Sequence, residues 1–141
     1  MIEEIKYKKK ILAYIIKYKK KNGTNFLTPE RLTYQIAFIK HKKNHIISPH
    51  FHLRNIRRVN ITSEILIIKK GRLRIDFYIK KNKYFFSKIL LKNHIIVLLS
   101  GGHGFRVLKP IEMIEIKQGP YKKEKDKILL KKIDEKNIII K

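Results

Sequence analysis

Three histidines and one glutamate have the residue types and spacing of a metal site. His50 and His52 are separated by one residue, Glu64 follows, and His103 lies in the glycine-rich run 100–105. Histidines at positions i and i+2 of an extended strand point to the same side of a sheet, because side chains alternate faces. If the strands that carry Glu64 and His103 lie nearby, three imidazoles and one carboxylate would meet. This ligand set suits a divalent ion such as iron, manganese, zinc or nickel.

The elements that must position these side chains are predicted to be strands. Isoleucine and tyrosine are abundant, and apolar and polar residues alternate strictly from Arg72 to Ile79. Short, evenly spaced strands predict antiparallel sheets in a sandwich or barrel. Segment 10–18 could instead be an amphipathic helix, although its apolar centre favours a strand. Glycine, proline and asparagine turn signals delimit ten predicted strands: 10–18, 33–41, 49–53, 55–60, 64–70, 72–80, 83–91, 94–99, 103–108 and 111–118.

Length and composition predict one domain. The chain has 141 residues, of which 43% are hydrophobic, enough for a single core. We expect a core over residues 30–121, an N-terminal strand extension over 1–29, and a charged C-terminal tail over 122–141. The tail either packs across the barrel or pairs with a second subunit.

Cysteine usage and hydropathy narrow the class further. The chain contains no cysteine, which excludes disulfides and thiolate metal sites. No apolar run is long enough to span a bilayer, and the run 11–16 is too short for the core of a signal peptide. The sequence therefore predicts a soluble, cytoplasmic protein without a membrane partner.

The formal net charge of +24 raises the question of nucleic-acid binding. Of the 35 basic residues, 28 are lysines scattered through every segment, and only seven are arginines. A nucleic-acid groove would instead show one basic stripe with interleaved aromatic residues. Abundant isoleucine and only two alanines are also typical of an AT-rich genome. We therefore expect a solvated, lysine-rich surface, and a basic protein that binds nucleic acid is the remote alternative.

The candidate metal ligands are arranged in a way that resembles the cupin family, whose members are double-stranded β-helix (jelly-roll) barrels with a metal in the lumen. The first cupin motif is His-x-His, three or four residues, Glu, six residues and Gly. The interval from Glu64 to Gly71 matches, whereas 11 residues separate His52 from Glu64. In the second motif, Gly, Pro-x-Gly and then His, only His103 keeps its place, and Gly101-Gly102 supplies an alternative tight turn.

A closer resemblance covers most of the chain. Segments 63–78, 100–105 and 115–121 are similar to a group of small single-domain bacterial cupins that are often associated with surface-polysaccharide and nucleotide-sugar genes. This resemblance implies an all-β cupin that binds or converts a small, oxygen-rich, sugar-derived ligand. The group has no firmly established reaction, so the resemblance supports the fold more than the activity.

The last predicted strand carries two further polar candidates. Glu115 and Lys117 alternate with Ile114 and Ile116, so they share one face. If that face lines the lumen, the two groups can take part in proton transfer. If it faces outward, they form an ordinary solvated ion pair.

The implied function is a metal-dependent isomerase, epimerase or lyase in surface-glycan biosynthesis. The ion would polarise a carbonyl or hydroxyl group, and Glu115 or Tyr121 would move a proton. The alternative is a cupin that binds a ligand or a partner without catalysis, because the same ligands serve both. Exposed sheet edges and outward isoleucines predict a homodimer. The candidate residues are the metal ligands His50, His52, Glu64 and His103, the catalytic residues Glu115 and Tyr121, and the substrate-binding residues Arg57, Lys117 and Gln118.

Overall fold

The computed structural model describes residues 1–120 and 126–141, and it shows an all-β protein. Within these ranges the only helical element is a 3-10 turn at Glu135–Asn137. None of the helical structure described there is long and apolar enough to cross a membrane. The strands are β1 (Ile2–Tyr7), β2 (Lys10–Lys17), β3 (Gly23–Phe26), β4 (Ala37–Lys40), β5 (Glu64–Lys80), β6 (Lys83–Leu91), β7 (His94–Leu98) and β8 (Gly102–Lys117).

Six of the strands form one antiparallel sheet that curls into a half-barrel. Its order is β1-β2-β7-β5-β6, and β8 lies along the other side of β5. The long β5 pairs with β8 over nearly its whole length, while β7 and then β6 occupy its opposite edge. β3 and β4 form a separate two-stranded sheet. The prediction of an all-β, antiparallel fold is confirmed at this level, whereas the cupin jelly roll stays a prediction.

Apolar side chains are buried on both faces of this sheet. The larger cluster contains Leu66, Leu73 and Phe77 of β5 together with side chains of β2, β6 and β7. The smaller cluster lies on the opposite face, around Tyr14 and Val97, and the segment after β3 covers it with Leu27, Leu32, Tyr34 and Ile36. A strand buried on both faces has no polar face to present, which explains the continuous apolar run in β2.

The curl is concentrated where Gly71 of β5 meets Pro110 of β8. Gly71 has φ of 89°, a conformation that glycine adopts without steric cost. A β-carbon at this position would overlap the carbonyl group of Pro110. The β5–β8 register shifts several times between Ile68 and Leu73. As a result, the β5 residues in the larger cluster are even-numbered before the bend, Leu66 and Ile68, and odd-numbered after it, Leu73, Ile75 and Phe77.

Several predicted boundaries are corrected by the structure. The predicted strands 49–53 and 55–60 are wrong, because residues 41–62 are exposed and contain no strand. Strands 64–70 and 72–80 are one strand, as are 103–108 and 111–118, since Gly71 and Pro110 bend the chain without interrupting it. Segment 33–41 shortens to β4, and β1 and β3 are added before residue 30. Segment 10–18 is confirmed as a strand.

The C-terminal segment packs across the sheet, which was the first of its two predicted roles. The Ser87 amide donates to Ile139 O at 2.7 Å, and the Lys141 amide donates to Ser87 O at 3.0 Å, so residues 139–141 lie beside the edge of β6. The buried Arg74 guanidinium donates to Asp76 Oδ1 and to Glu135 Oε2, both at 2.7 Å. A buried charge is stable only when it is paired, so this network fixes the segment on the sheet.

Candidate functional site

Glu64 and His103 form a direct contact at the open side of the half-barrel. Their Oε2 and Nε2 atoms are 3.0 Å apart, and the side chains are 21% and 28% exposed. Glu64 is the first residue of β5, whereas His103 pairs with Phe77, 13 positions further along β5. In a flat sheet those positions would be about 43 Å apart. The curl at Gly71 and Pro110 therefore creates this contact.

The electrostatic surroundings keep Glu64 ionised. The hydrogen bond from His103 lowers the pKa of the Glu64 carboxyl, and the positive charges of Lys117 and Lys127 lower it further, while partial burial opposes them. An ionised Glu64 can only accept this hydrogen bond, so His103 carries its proton on Nε2. In the neutral form of the ring, the lone pair then lies on Nδ1, the atom that can take a proton from a ligand.

The pair lines a cleft of about 670 Å³ between the half-barrel and the C-terminal segment. This volume is typical of small-molecule sites. Glu115 and Lys117 of β8 line the same cleft, with Oε1 and Nζ 3.7 Å apart. Both side chains line the cleft but stay solvated, with Glu115 45% and Lys117 35% exposed, so their role in proton transfer stays a prediction. The cleft also has an apolar wall, formed by Ile61, Tyr78, Phe105, Ile128, Leu129 and Leu130.

Gln118 lies just after β8 and holds neighbouring backbone in place. Its Oε1 accepts a hydrogen bond from the Ser63 amide at 2.6 Å, and its Nε2 donates to Thr33 Oγ1 at 3.4 Å. These contacts fix the residue that precedes Glu64. The predicted role of Gln118 in substrate binding stays a prediction, and its observed contacts position the start of β5.

His50 and His52 lie apart from the Glu64–His103 pair, in the exposed segment 41–62. Their rings contact each other edge to face, with centroids 5.3 Å apart, and His50 Nδ1 is 2.8 Å from Ser48 O. Among residues 1–120 and 126–141, no group of three or more His, Asp or Glu side chains lies close enough together to hold a metal ion. The four predicted ligands, as placed, do not fit a metal centre. The metal ion stays a prediction, and the chemistry of the cleft is derived from its side chains alone.

Arg57 and Tyr121 are the two remaining candidates. Arg57 is exposed in the segment 41–62 and does not line the cleft. Tyr121, the second candidate for proton transfer, lies outside the described residues.

The contribution of the C-terminal segment to the cleft could not be recognised from the sequence. Lys127 and Lys132 line it together with the three apolar residues at 128–130. In the sequence this region contains only a charged stretch with an apolar island. Arg74 and Asp76 are buried in the structure and need a partner such as Glu135, but in the sequence they occupy the polar positions of an alternating strand and do not indicate burial.

Comparisons with protein-family models, curated proteins and solved structures found no match to this chain.

Proposed function

We propose that the cleft binds a small, oxygen-rich, sugar-derived ligand and that the Glu64–His103 pair moves a proton on it, in an isomerase or epimerase reaction. The observation that carries this proposal is the 3.0 Å contact between an ionised carboxylate and an imidazole on the wall of a ligand-sized cleft. An imidazole oriented by a carboxylate is a common arrangement for general acid–base catalysis near neutral pH. The proposal of a sugar-derived ligand rests on the resemblance of segments 63–78, 100–105 and 115–121 to small bacterial cupins associated with nucleotide-sugar genes.

The cleft contains the groups that such a reaction needs. His103 Nδ1 would take the proton from a carbon next to a carbonyl group, leaving an enolate and an imidazolium that Glu64 stabilises. The ammonium group of Lys117 supplies positive charge for the enolate oxygen. Return of a proton from solvent to the opposite face of the same carbon gives the epimer, with Glu115 as the candidate group that relays it in the described part of the cleft. The His103 imidazolium then releases the abstracted proton to solvent, which restores the starting state.

Exchange of a ligand proton with solvent tests this proposal directly. The protein is incubated in D₂O with a panel of keto-sugar nucleotides, and loss of carbon-bound proton signals is followed by NMR. We expect exchange with at least one compound, reduced at least about 100-fold in His103→Gln and Glu64→Gln. The matched control is His41→Gln, which removes an exposed imidazole away from the cleft and should leave the rate unchanged.

Two results would contradict the proposed catalysis. Exchange that persists at the wild-type rate in His103→Gln would remove the pair from the reaction. Binding of the panel in a thermal-shift assay with no exchange by the wild-type protein would instead identify a cupin-like binding protein without catalysis, the alternative drawn from the sequence.

A further inference from the structure

The segment 41–62, called the arm below, is exposed along its whole length between β4 and β5. It carries five cations, Lys42, Lys43, Arg54, Arg57 and Arg58, and no Asp or Glu. Three of the seven arginines of this lysine-rich chain lie in the five residues 54–58 of the arm. The arm also exposes seven large apolar side chains: Ile46, Ile47, Phe51, Leu53, Ile56, Val59 and Ile61. An exposed stretch of this size and character indicates a protein-binding segment.

The outer edge of β8 is the complementary feature. Among the described residues, no strand pairs with the other edge of β8 along 108–116. Such an edge readily accepts an added strand. β8 carries two carboxylates, Glu112 and Glu115, besides the cations Arg106, Lys109 and Lys117. The two carboxylates form only exposed pairs, with Lys70 at 3.4 Å and with Lys117 at 3.7 Å, so they can accept a further cation. The strand also exposes the apolar side chains of Phe105, Val107, Leu108, Met113, Ile114 and Ile116.

We propose that residues 53–61 of the arm add as an antiparallel strand to the outer edge of β8 in a second copy of the chain, and that the reciprocal contact closes a homodimer. In one register, Arg54 lies opposite Glu115 and Arg57 lies opposite Glu112. The two arginines are three residues apart, as are the two glutamates, so one Arg–Glu pair lies on each face of the extended sheet. The same register places three apolar pairs together: Leu53 with Ile116, Ile56 with Met113, and Ile61 with Leu108.

Chain length assigns this register to a second copy. The Ser63 amide is bonded to Gln118 at the C-terminal end of the chain's own β8, at 2.6 Å. Ile61 and Glu64 are three residues apart and span at most about 11 Å. Within one chain they would have to join the outer edge of β8 at Leu108 to its opposite edge at Lys117, where Glu64 pairs. The stretch 111–117 alone, which lies beyond the bend at Pro110, is about 20 Å long. The arm of the same chain therefore cannot reach this register. In the dimer, Arg54 of the second copy would contact Glu115, a residue of the cleft.

Charge reversal tests the interface through the oligomeric state. At about 150 mM salt, where long-range repulsion between the +24 chains is screened, we expect a dimer of twice 17.0 kDa by light scattering. Arg54→Glu with Arg57→Glu should weaken the dimer at least about tenfold, and adding Glu112→Arg with Glu115→Arg to the same chain should restore it. The matched control is Lys42→Glu with Lys43→Glu, which changes the charge equally outside the proposed register and should leave the dimer within about threefold.

Cysteine pairs distinguish a second copy from the chain's own arm, because the natural chain has no cysteine. Ile56→Cys with Met113→Cys should give a covalent dimer on oxidation, and Ile46→Cys with Met113→Cys should not. A monomeric wild-type protein at about 100 μM would overturn the proposal, as would an intramolecular disulfide or equal weakening by both charge reversals. These readouts do not depend on a ligand, so they stand or fall separately from the proposed function.

Discussion

At the residue scale, the Glu64 carboxylate accepts a hydrogen bond from His103 and lies near the ammonium groups of Lys117 and Lys127. These groups lower the pKa of Glu64 in the folded state. A carboxyl group that binds its proton more weakly when folded than when unfolded stabilises the fold wherever it is ionised. The candidate catalytic pair therefore also contributes to folding stability.

Replacing Glu64 by Gln should lower the free energy of unfolding by about 1 kcal/mol at pH 7. The contribution of Glu64 is fully present above its unfolded pKa of 4.5 and is lost as the pH falls through the lower folded-state value. We expect urea denaturation between about pH 7 and about pH 3 to show that the difference in free energy of unfolding between wild type and Glu64→Gln becomes smaller as the pH falls. Glu30→Gln, at an exposed position, is the control. A gap of constant size down to pH 3 would contradict this account of Glu64.

The predicted metal site has its own test in the two exposed histidines. If His50, His52, Glu64 and His103 hold a divalent ion, protein purified without an affinity tag should contain metal, and His50→Ala with His52→Ala should remove it. Elemental analysis measures this content. Less than about a tenth of an equivalent in the wild type, unchanged in the variant, would eliminate the metal centre.

At the element scale, the bend at Gly71 determines whether Glu64 reaches His103. Gly71→Ala should lower the free energy of unfolding by about 3 kcal/mol or more, because the added methyl group overlaps Pro110 O in addition to straining a positive φ. Gly23→Ala is a matched control, since Gly23 has φ of 88° but open space around its Cα. That substitution should cost only about 1 kcal/mol of backbone strain. Equal losses of stability in urea denaturation would show that close packing at the bend is unimportant.

The strands were more predictable than the way they bend. Alternation identified the strand after Gly71, and turn signals at Lys81-Asn82 and Lys92-Asn93 correctly separated β5, β6 and β7. The sequence could not show that Gly71 continues a strand instead of ending it, because glycine with a positive φ is compatible with either. The register shifts there also change which alternate positions of β5 join the larger cluster, which a strict period of two cannot anticipate.

Only part of the site can be predicted from the sequence, because local patterns do not encode long-range contacts. Glu64 and His103 were identified as one cluster, and the structure brings them together. His50 and His52 were assigned to it on the assumption that 49–53 forms a strand, and the arm has none. The residues of the C-terminal segment were missed because their positions depend on long-range contacts, such as Arg74 with Glu135, that no local pattern encodes.

At the scale of the whole molecule, the net charge of +24 opposes compaction through self-repulsion. Raising NaCl from about 20 mM to about 500 mM should therefore increase the free energy of unfolding, by about 1–2 kcal/mol. Urea is the suitable denaturant because it adds no ions. Two sodium salts at equal ionic strength should give the same increase. A decrease would show that the surface ion pairs outweigh the general repulsion.

The central claim is that the cleft containing Glu64 and His103 binds a sugar-derived ligand. Its most direct test is an NMR titration of the histidine rings with the keto-sugar nucleotides of the exchange assay. We predict saturable shifts of the His103 ring signals, with those of His41 unchanged, and loss of the His103 response in Lys117→Met. A ligand that binds with no change at His103, or that gives the same shifts in Lys117→Met, would contradict the assignment of this cleft as the functional site.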